Sequence, residues 1–158
     1  MKGWTSENTA HLVSKSKKIV KSVPVPIVPE GILPVNRIFI AGNVPSLKNS
    51  KQIVRTKTGL PFITSSKLCK KYTTDTKMQF VNNVGKFYNL IVGPKPLRIK
   101  FYFRRKDKRK FDYINVVQIL LDLMIKYEYI ADDNMDEVIP VFGGYHVDSS
   151  NPGVYIYF

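Results

Sequence analysis

The chain has a single cysteine, few carboxylates and no long apolar run, and each shortage excludes a class of protein. Cys69 has no partner for an intramolecular disulfide, and a cysteine-cluster zinc or iron–sulfur site needs several ligands that converge on one point. No apolar stretch approaches the ~20 residues of a membrane span, and the charged residues Lys2 and Glu7 leave the N-terminus without the apolar centre of a signal peptide. We therefore expect a soluble, cytoplasmic protein that has no membrane partner.

Length and proline placement predict one domain preceded by a tail. A chain of 158 residues can bury a core without the help of disulfides. Residues 1–34 hold a lysine cluster followed by four prolines, which exclude a continuous helix and favour extended backbone. We predict a basic, Pro-rich flexible tail over residues 1–34 and a single domain over residues 35–158.

Hydrophobic periodicity predicts an α+β (mixed α/β) fold, in which a small mixed β-sheet packs with two main helices. The predicted strands cover residues 35–41, a hairpin at 52–64, and residues 97–103, 138–142 and 154–158. The predicted helices cover residues 65–88 and 112–127, the second with Asp112 as its N-cap. Residues 143–153 are predicted to form a polar turn region.

The net charge of +13 is distributed unevenly along the chain. Residues 47–110 hold eighteen basic and two acidic side chains (+16), whereas residues 111–158 hold one and eight (−7). A polyanion lying on the basic part would explain this partition, with the carboxylates holding divalent cations close to its phosphates. Mutual neutralisation of the two parts across the folded surface would explain it as well, and charge alone leaves both interpretations open.

Two groups of aspartates flank the second predicted helix. Asp112 begins it, and Asp132 and Asp133 follow it after a short apolar segment. Carboxylates that converge beside a cationic loop are the hard oxygen ligands that a Mg²⁺-dependent phosphodiesterase requires. The same residues are typical of a helix cap and a turn, and spacing alone favours that second interpretation while it leaves the first open.

A longer pattern spans residues 104–133. A basic strand end is followed by Asp112, Asn115, Asp122 and the pair Asp132–Asp133, without a gap. This arrangement resembles the RusA-type Holliday-junction resolvases (crossover junction endodeoxyribonucleases), whose pattern is D-x-D-N, a lysine four residues after the second D, a helical D-x-L, and a D-D after a short apolar turn. The loop at 42–49 is similar to the loop that follows the family's first strand, so the resemblance covers roughly residues 36–158.

The resemblance implies a dimeric, RusA-like domain that resolves branched DNA by Mg²⁺-dependent phosphodiester hydrolysis, with Mn²⁺ able to substitute and no small-molecule cofactor. Its partners would be a four-way DNA junction and a second copy of the chain, and a phage origin would fit. The residues implied to be catalytic and metal-binding are Asp112, Asp133 and Asp132. The residues implied to contact DNA are Lys48, Lys51, Arg104, Arg105, Lys106, Lys108, Arg109, Lys110, Asn115 and Gln118.

Two positions depart from the family pattern. Ile114 stands at the second aspartate of D-x-D-N, and Gln118 stands at the lysine. Isoleucine offers no oxygen to a cation, and glutamine lacks the charge of an ammonium group. Three interpretations follow: another acid such as Asp132 or Asp136 substitutes, the enzyme is slow, or the domain binds branched DNA without cutting it. A basic RNA-binding protein would also fit the charge, but it leaves the aspartate spacing unexplained.

Overall fold

A computed structural model describes residues 33–46 and 51–158 of the chain, so the tail predicted for residues 1–34 lies outside them except for Leu33 and Pro34. The strands are β1 (Ile38–Ala41), β2 (Lys51–Arg55), β3 (Pro61–Ser65), β4 (Leu97–Arg105), β5 (Val138–Val147) and β6 (Gly153–Tyr157). The helices of the described ranges are α1 (Lys67–Leu90) and α2 (Tyr113–Lys126). The predicted α+β class, with a mixed sheet and two main helices, is confirmed.

The main sheet has four strands in the order β1-β6-β4-β5. Strands β4 and β5 are parallel, and α2 connects them as the crossover helix. Strand β6 lies antiparallel to both β1 and β4. Strands β2 and β3 form a separate two-stranded hairpin. Helix α2 carries the chain from the end of β4 back to the start of the parallel strand β5. Its two ends therefore lie near opposite ends of these strands.

The core lies between one face of the main sheet and the two helices. Ile99, Phe101 and Phe103 of β4 are fully buried, and so are Leu120 and Met124 of α2. These residues alternate at two-residue spacing on the strand and at a four-residue spacing on the helix, which places each set on a single face. Removing one such side chain from water contributes about 1.5–3 kcal/mol, so packing against β4 holds α2 in position.

The chain between 143 and 153 differs from the sequence prediction, because β5 continues to Val147 before the turn begins. Two adjacent glycines allow this continuation. The pairing of β4 with β5 shifts in register after Phe101, and a Cβ added to Gly143 would lie 2.5 Å from the Tyr157 hydroxyl. The predicted turn over residues 143–153 is therefore wrong for its first five residues, which form a strand with a bulge.

Strand β4 likewise extends two residues beyond the prediction, to Arg105. The cationic segment 104–110 therefore begins inside the sheet and leaves it only at Lys106.

No helix of the described part of the chain is long and apolar enough to cross a bilayer.

Candidate nucleic-acid interface

A groove of about 610 Å³ lies where both helices begin. Its walls come from the loop after β1 (Asn43 to Ser46), the first residues of α1 (Ser66 and Leu68) and the segment between β4 and α2. Arg105, Arg109, Lys110, Asp112 and Asn115 line it as well. We call this feature the cationic groove, since three of its lining side chains are basic and two, Asp107 and Asp112, are acidic.

Each helix enters the groove with a side-chain N-cap. The Ser66 hydroxyl accepts a hydrogen bond from the Cys69 amide at 3.3 Å, and the Asp112 carboxylate accepts one from the Ile114 amide at 3.1 Å. The prediction of Asp112 as an N-cap is confirmed. A helix start carries roughly half a positive charge from its unpaired amides. The Asp112 carboxylate offsets that charge at α2, so the start of α1, capped by the neutral Ser66, is the one that adds to the attraction for an anion such as a phosphate.

Arg105 is held at the wall of the groove by two contacts. Its Nη1 donates to the Val44 carbonyl at 2.8 Å, and its guanidinium lies 4.6 Å from the centre of the Phe111 ring. Burial lowers the pKa of Arg105 from its ordinary value, although Asp107 opposes the shift. An arginine keeps its charge at neutral pH despite such a shift, so Arg105 places a fixed cation at the groove.

The loop that follows Arg105 is exposed and mostly basic. Within it, Arg109 forms an ion pair with Asp107 at 2.7 Å, and its backbone amide also donates to that carboxylate. These hydrogen bonds lower the pKa of Asp107. Lys106, Lys108 and Lys110 are all exposed. The ion pair neutralises the charge of Arg109 within the loop, and the three exposed lysines leave the loop positively charged.

Arg104 lies on the opposite face of the sheet from Arg105, as expected for neighbours on a strand. It is ion-paired with Asp148, donates to the Tyr155 hydroxyl at 3.3 Å, and lies 5.5 Å from the Phe39 ring centre. The pKa of Asp148 is lowered, chiefly by its hydrogen bond with Arg104. Of the two adjacent arginines predicted to contact DNA, therefore, only Arg105 lines the cationic groove.

The first turns of α2 carry the remaining predicted contacts. Asn115 donates from Nδ2 to the Asp112 carboxylate at 2.8 Å and lines the groove. Gln118 is exposed one turn further along the helix, and Ile114, which directly precedes Asn115, is 62% exposed. Lys48 lies outside the described residues, and Lys51 is placed by its backbone only, at the base of the β2–β3 hairpin.

Asp132 and Asp133 lie beyond the other end of α2. The Asp132 carboxylate accepts from the Asn134 side chain and from the Asp133 amide, both at 2.8 Å, and these bonds lower its pKa. Burial, with a smaller contribution from the charge of Asp133, raises the pKa of Asp122 on the last turns of α2. We call Asp122, Asp132 and Asp133 the acidic end.

The three aspartates predicted to act together are therefore divided between two places. Helix α2 has 14 residues and spans about 21 Å at 1.5 Å per residue, with Asp112 before it and Asp132 and Asp133 after it. In the described ranges, 33–46 and 51–158, no group of three or more acidic, histidine or cysteine side chains could hold a metal ion. In the described ranges of one chain, Asp112 therefore forms no such group with Asp132 and Asp133.

Sequence reasoning missed two parts of this surface. It placed Ser66 only within a range for a helix start, and the lining of the groove by the loop after β1 follows from tertiary packing. It matched Asp122 to a pattern without predicting its proximity to Asp133, since that contact depends on how the chain turns after α2. The cap preference of serine before a helical stretch was the available signal for Ser66.

Comparison with known proteins adds no assignment. No protein-family model and no curated protein sequence matches the chain.

Proposed function

We propose that the protein is a divalent-metal-dependent endonuclease that binds branched DNA, such as a four-way junction, and acts as a homodimer. The observation that carries the proposal is the cationic groove, in which two capped helix starts and the basic β4–α2 segment meet beside Asp112 and Asn115. The resemblance of residues 104–133 to the RusA-type resolvases supports the same function.

The groove is suited to phosphates rather than to a small organic ligand. Helix amides and arginine forks bind phosphate oxygens through hydrogen bonds and charge. Such contacts hold a nucleic-acid backbone without reading its sequence, and they weaken steeply as salt rises. Recognition by shape and charge is what a junction-binding protein needs, because a four-way junction is defined by its geometry.

The carboxylates near the two ends of α2 are the type of ligand that Mg²⁺ takes, but one chain does not gather three of them in its described residues. Carboxylate oxygens are the ligands that Mg²⁺ prefers, and one or two carboxylates together with substrate phosphates make a usual site. The ligands that the resemblance implies, Asp112, Asp132 and Asp133, would hold the ion only if a second chain brought its Asp112 to the other two. A bound Mg²⁺ would stabilise the negative charge that develops on the phosphate during hydrolysis.

A two-fold dimer would bring the separated aspartates together. Ile114, Gln118, Asp122 and Lys126 form an exposed stripe along α2 at four-residue spacing. Two copies of α2 packed antiparallel through this stripe would place Asp112 beside Asp133 of the partner subunit, and would do so twice. A four-way junction must be cut on two strands, and a dimer with two such sites matches that requirement.

The direct test is cleavage of a synthetic four-way junction in Mg²⁺ or Mn²⁺, with a linear duplex of the same sequence as the control substrate. We expect paired nicks in the junction and none in the duplex, and we expect Asp112→Asn to bind the junction without cutting it. The proposal of an endonuclease fails if the wild-type protein makes no metal-dependent nicks or cuts no better than Asp112→Asn.

A second candidate is a domain of the same shape that binds branched DNA without cutting it. Its support is Ile114, which is 62% exposed beside Asn115 and offers no ligand at that position of the family pattern. This candidate predicts tight, salt-sensitive junction binding in the absence of nicking. The substitution Ile114→Asp separates the two: onset of metal-dependent cleavage only in that variant would favour the non-cutting domain.

A further inference from the structure

The β2–β3 hairpin is separate from the main sheet. Its strands pair with each other from Lys51 and Ser65 at the base to Arg55 and Pro61 near the tip, and among the described residues neither strand joins another sheet. Ser66, which follows β3 directly, caps α1 and lines the cationic groove. The hairpin therefore rises from the rim of the groove with no linker between them.

The tip of the hairpin is closed by its own hydrogen bonds. The Thr56 amide donates to the Leu60 carbonyl and the Gly59 amide donates to the Thr56 carbonyl, both at 2.9 Å. The Thr56 hydroxyl accepts from the Leu60 amide at 3.1 Å. Gly59 has a φ of 84°, a left-handed conformation that favours glycine. These bonds give the tip a defined turn.

The surface of the hairpin combines exposed apolar side chains with cations. Ile53 is 75% exposed and Leu60 is 67% exposed. Arg55 and Lys57 are exposed as well, and the sequence has no aspartate or glutamate from residue 51 to residue 74. Ile53 and Arg55 stand two residues apart on β2 and so share one face. Apolar groups left in water on a projecting element indicate a contact surface, and the absence of acids indicates an anionic partner.

We propose that this hairpin inserts into the major groove of a duplex arm of the bound DNA, an inference that rests on the proposed function. The major groove of B-form DNA is about 12 Å wide and admits a two-stranded β-ribbon, whose strands lie about 4.8 Å apart. Arg55 and Lys57 contact phosphates at the edges of the groove. Ile53, on the same face as Arg55, faces base edges, where the thymine methyl group accepts apolar contact.

The hairpin and the cationic groove would then act on adjacent parts of one substrate. The groove contacts the backbone near the point where the arms meet, and the hairpin fixes the direction of one arm. A protein partner with an acidic surface would satisfy the cations of the hairpin, but it would give no contact confined to the major groove of DNA. Binding to DNA is therefore separable by experiment from binding to an acidic protein.

The first test compares Arg55→Ala/Lys57→Ala with a control that removes the same charges elsewhere, Lys86→Ala/Arg98→Ala. Both pairs are exposed. Junction affinity is measured for the full chain over a range of salt. Because each phosphate contact contributes about 0.9 to the slope of log K against log salt, the hairpin variant should lower that slope by about 1.8 and the control should leave it unchanged. An unchanged slope in the hairpin variant overturns the inference.

The second test reads the major groove directly. Dimethyl sulfate methylates guanine N7, which lies in the major groove, so we expect the wild-type protein to protect guanines in one arm of the junction. The variant Ile53→Thr should lose this protection while it keeps the melting temperature of the wild type. Protection that persists in this variant overturns the inference even though the proposed function stands.

A-form RNA is the competitor in the third test, because its major groove is deep and narrow and does not admit a ribbon. We expect double-stranded RNA to compete poorly with junction DNA for the wild-type protein. Equal competition by RNA overturns the inference. If the wild-type protein binds neither junction nor duplex DNA, both the inference and the proposed function fail, which distinguishes this outcome from failure of the hairpin alone.

Discussion

The two ends of helix α2 differ in charge and in construction. At the N-terminal end, Asp112 caps the helix inside a groove lined by Arg105 and Lys110. At the other end, Asp122 and Asp133 are close enough for the charge of one to raise the pKa of the other. The uneven charge of the sequence is thus also a separation in space, with a cationic surface and an acidic one at opposite ends of one helix.

Only part of the positive charge of residues 47–110 is neutralised by ion pairs within the fold. Ion pairs within the described residues include Arg104 with Asp148, Arg109 with Asp107, and Lys95 with Glu137. Each of these pairs neutralises a single cation. Lys110 at the groove and Lys106 and Lys108 in the same loop remain exposed. Neutralisation accounts for part of the charge, and the groove retains an excess that a polyanion would satisfy.

Mixing two inactive variants tests whether the two ends of α2 meet across a dimer. Asp112→Asn and Asp133→Asn should each reduce junction cleavage at least about 100-fold, since even outer partners of metal ligands cost 10–100-fold. If the aspartates meet across a dimer, subunit exchange between the two variants restores one intact site in each hybrid. Cleavage should then recover to about a quarter of the wild-type rate, because about half the dimers are hybrids with one of two sites.

The hybrid result has a clear opposite. If Asp112 and Asp133 acted within one chain, every subunit of the mixture would lack one of its own carboxylates, and no cleavage would return. A mixture that stays inactive while the two variants exchange subunits would therefore contradict the shared site.

The cationic groove can be tested by removing charge from one end of α2 only. The variant Lys108→Ala/Lys110→Ala should lower the salt slope of junction binding by about 1.8 and weaken affinity about 30-fold at physiological salt. The matched control, Lys86→Ala/Arg98→Ala, removes the same charge away from the groove and should bind like the wild type. Equal weakening by both variants, measured by fluorescence anisotropy, would mean that net charge and not the groove attracts DNA.

Tyr129 connects the segment before the acidic end to the core, and its loss should lower the free energy of unfolding. Its hydroxyl donates to the Phe80 carbonyl at 2.6 Å, and its ring lies 4.8 Å from the ring centre of Phe87. Tyr129→Phe keeps the ring and removes the hydrogen bond, so we expect the free energy of unfolding to fall by about 1 kcal/mol. Chemical denaturation measures this, and Tyr145→Phe, at a hydroxyl with no hydrogen-bond partner among the described residues, is the control. If the two variants had the same free energy of unfolding, the Tyr129 hydroxyl would not anchor the acidic end.

Much of the fold was predictable, because periodicity reports burial on one face. The four-residue spacing of Val116, Leu120 and Met124 predicted α2, and all three are fully buried in the structure. The continuation of β5 through Gly143 was missed, since glycines signal turns in a sequence and only the packing against Tyr157 shows why they are needed there.

The candidate site was less predictable than the fold. The sequence placed Arg104 and Arg105 in one cationic run, and the prediction ended β4 at residue 103. Because the strand extends to Arg105, the Arg104 and Arg105 side chains project from opposite faces of the sheet. The chain turn that brings Asp133 toward Asp122 depends on contacts between distant residues, and local spacing contains no information on them.

The ion pair of Arg104 with Asp148 allows a test of stability at a position that faces away from the groove. Arg104 pairs with Asp148, whose pKa is lowered below its ordinary 3.8. A lowered folded-state pKa contributes stability that is present above pH 3.8 and is lost as the pH falls through the folded value. Asp148→Asn should therefore lower the melting temperature at pH 7, and its difference from the wild type should shrink on acidification. Since Arg104 faces away from the groove, the same variant should leave the salt slope of junction binding unchanged, and a changed slope would place Arg104 at the DNA.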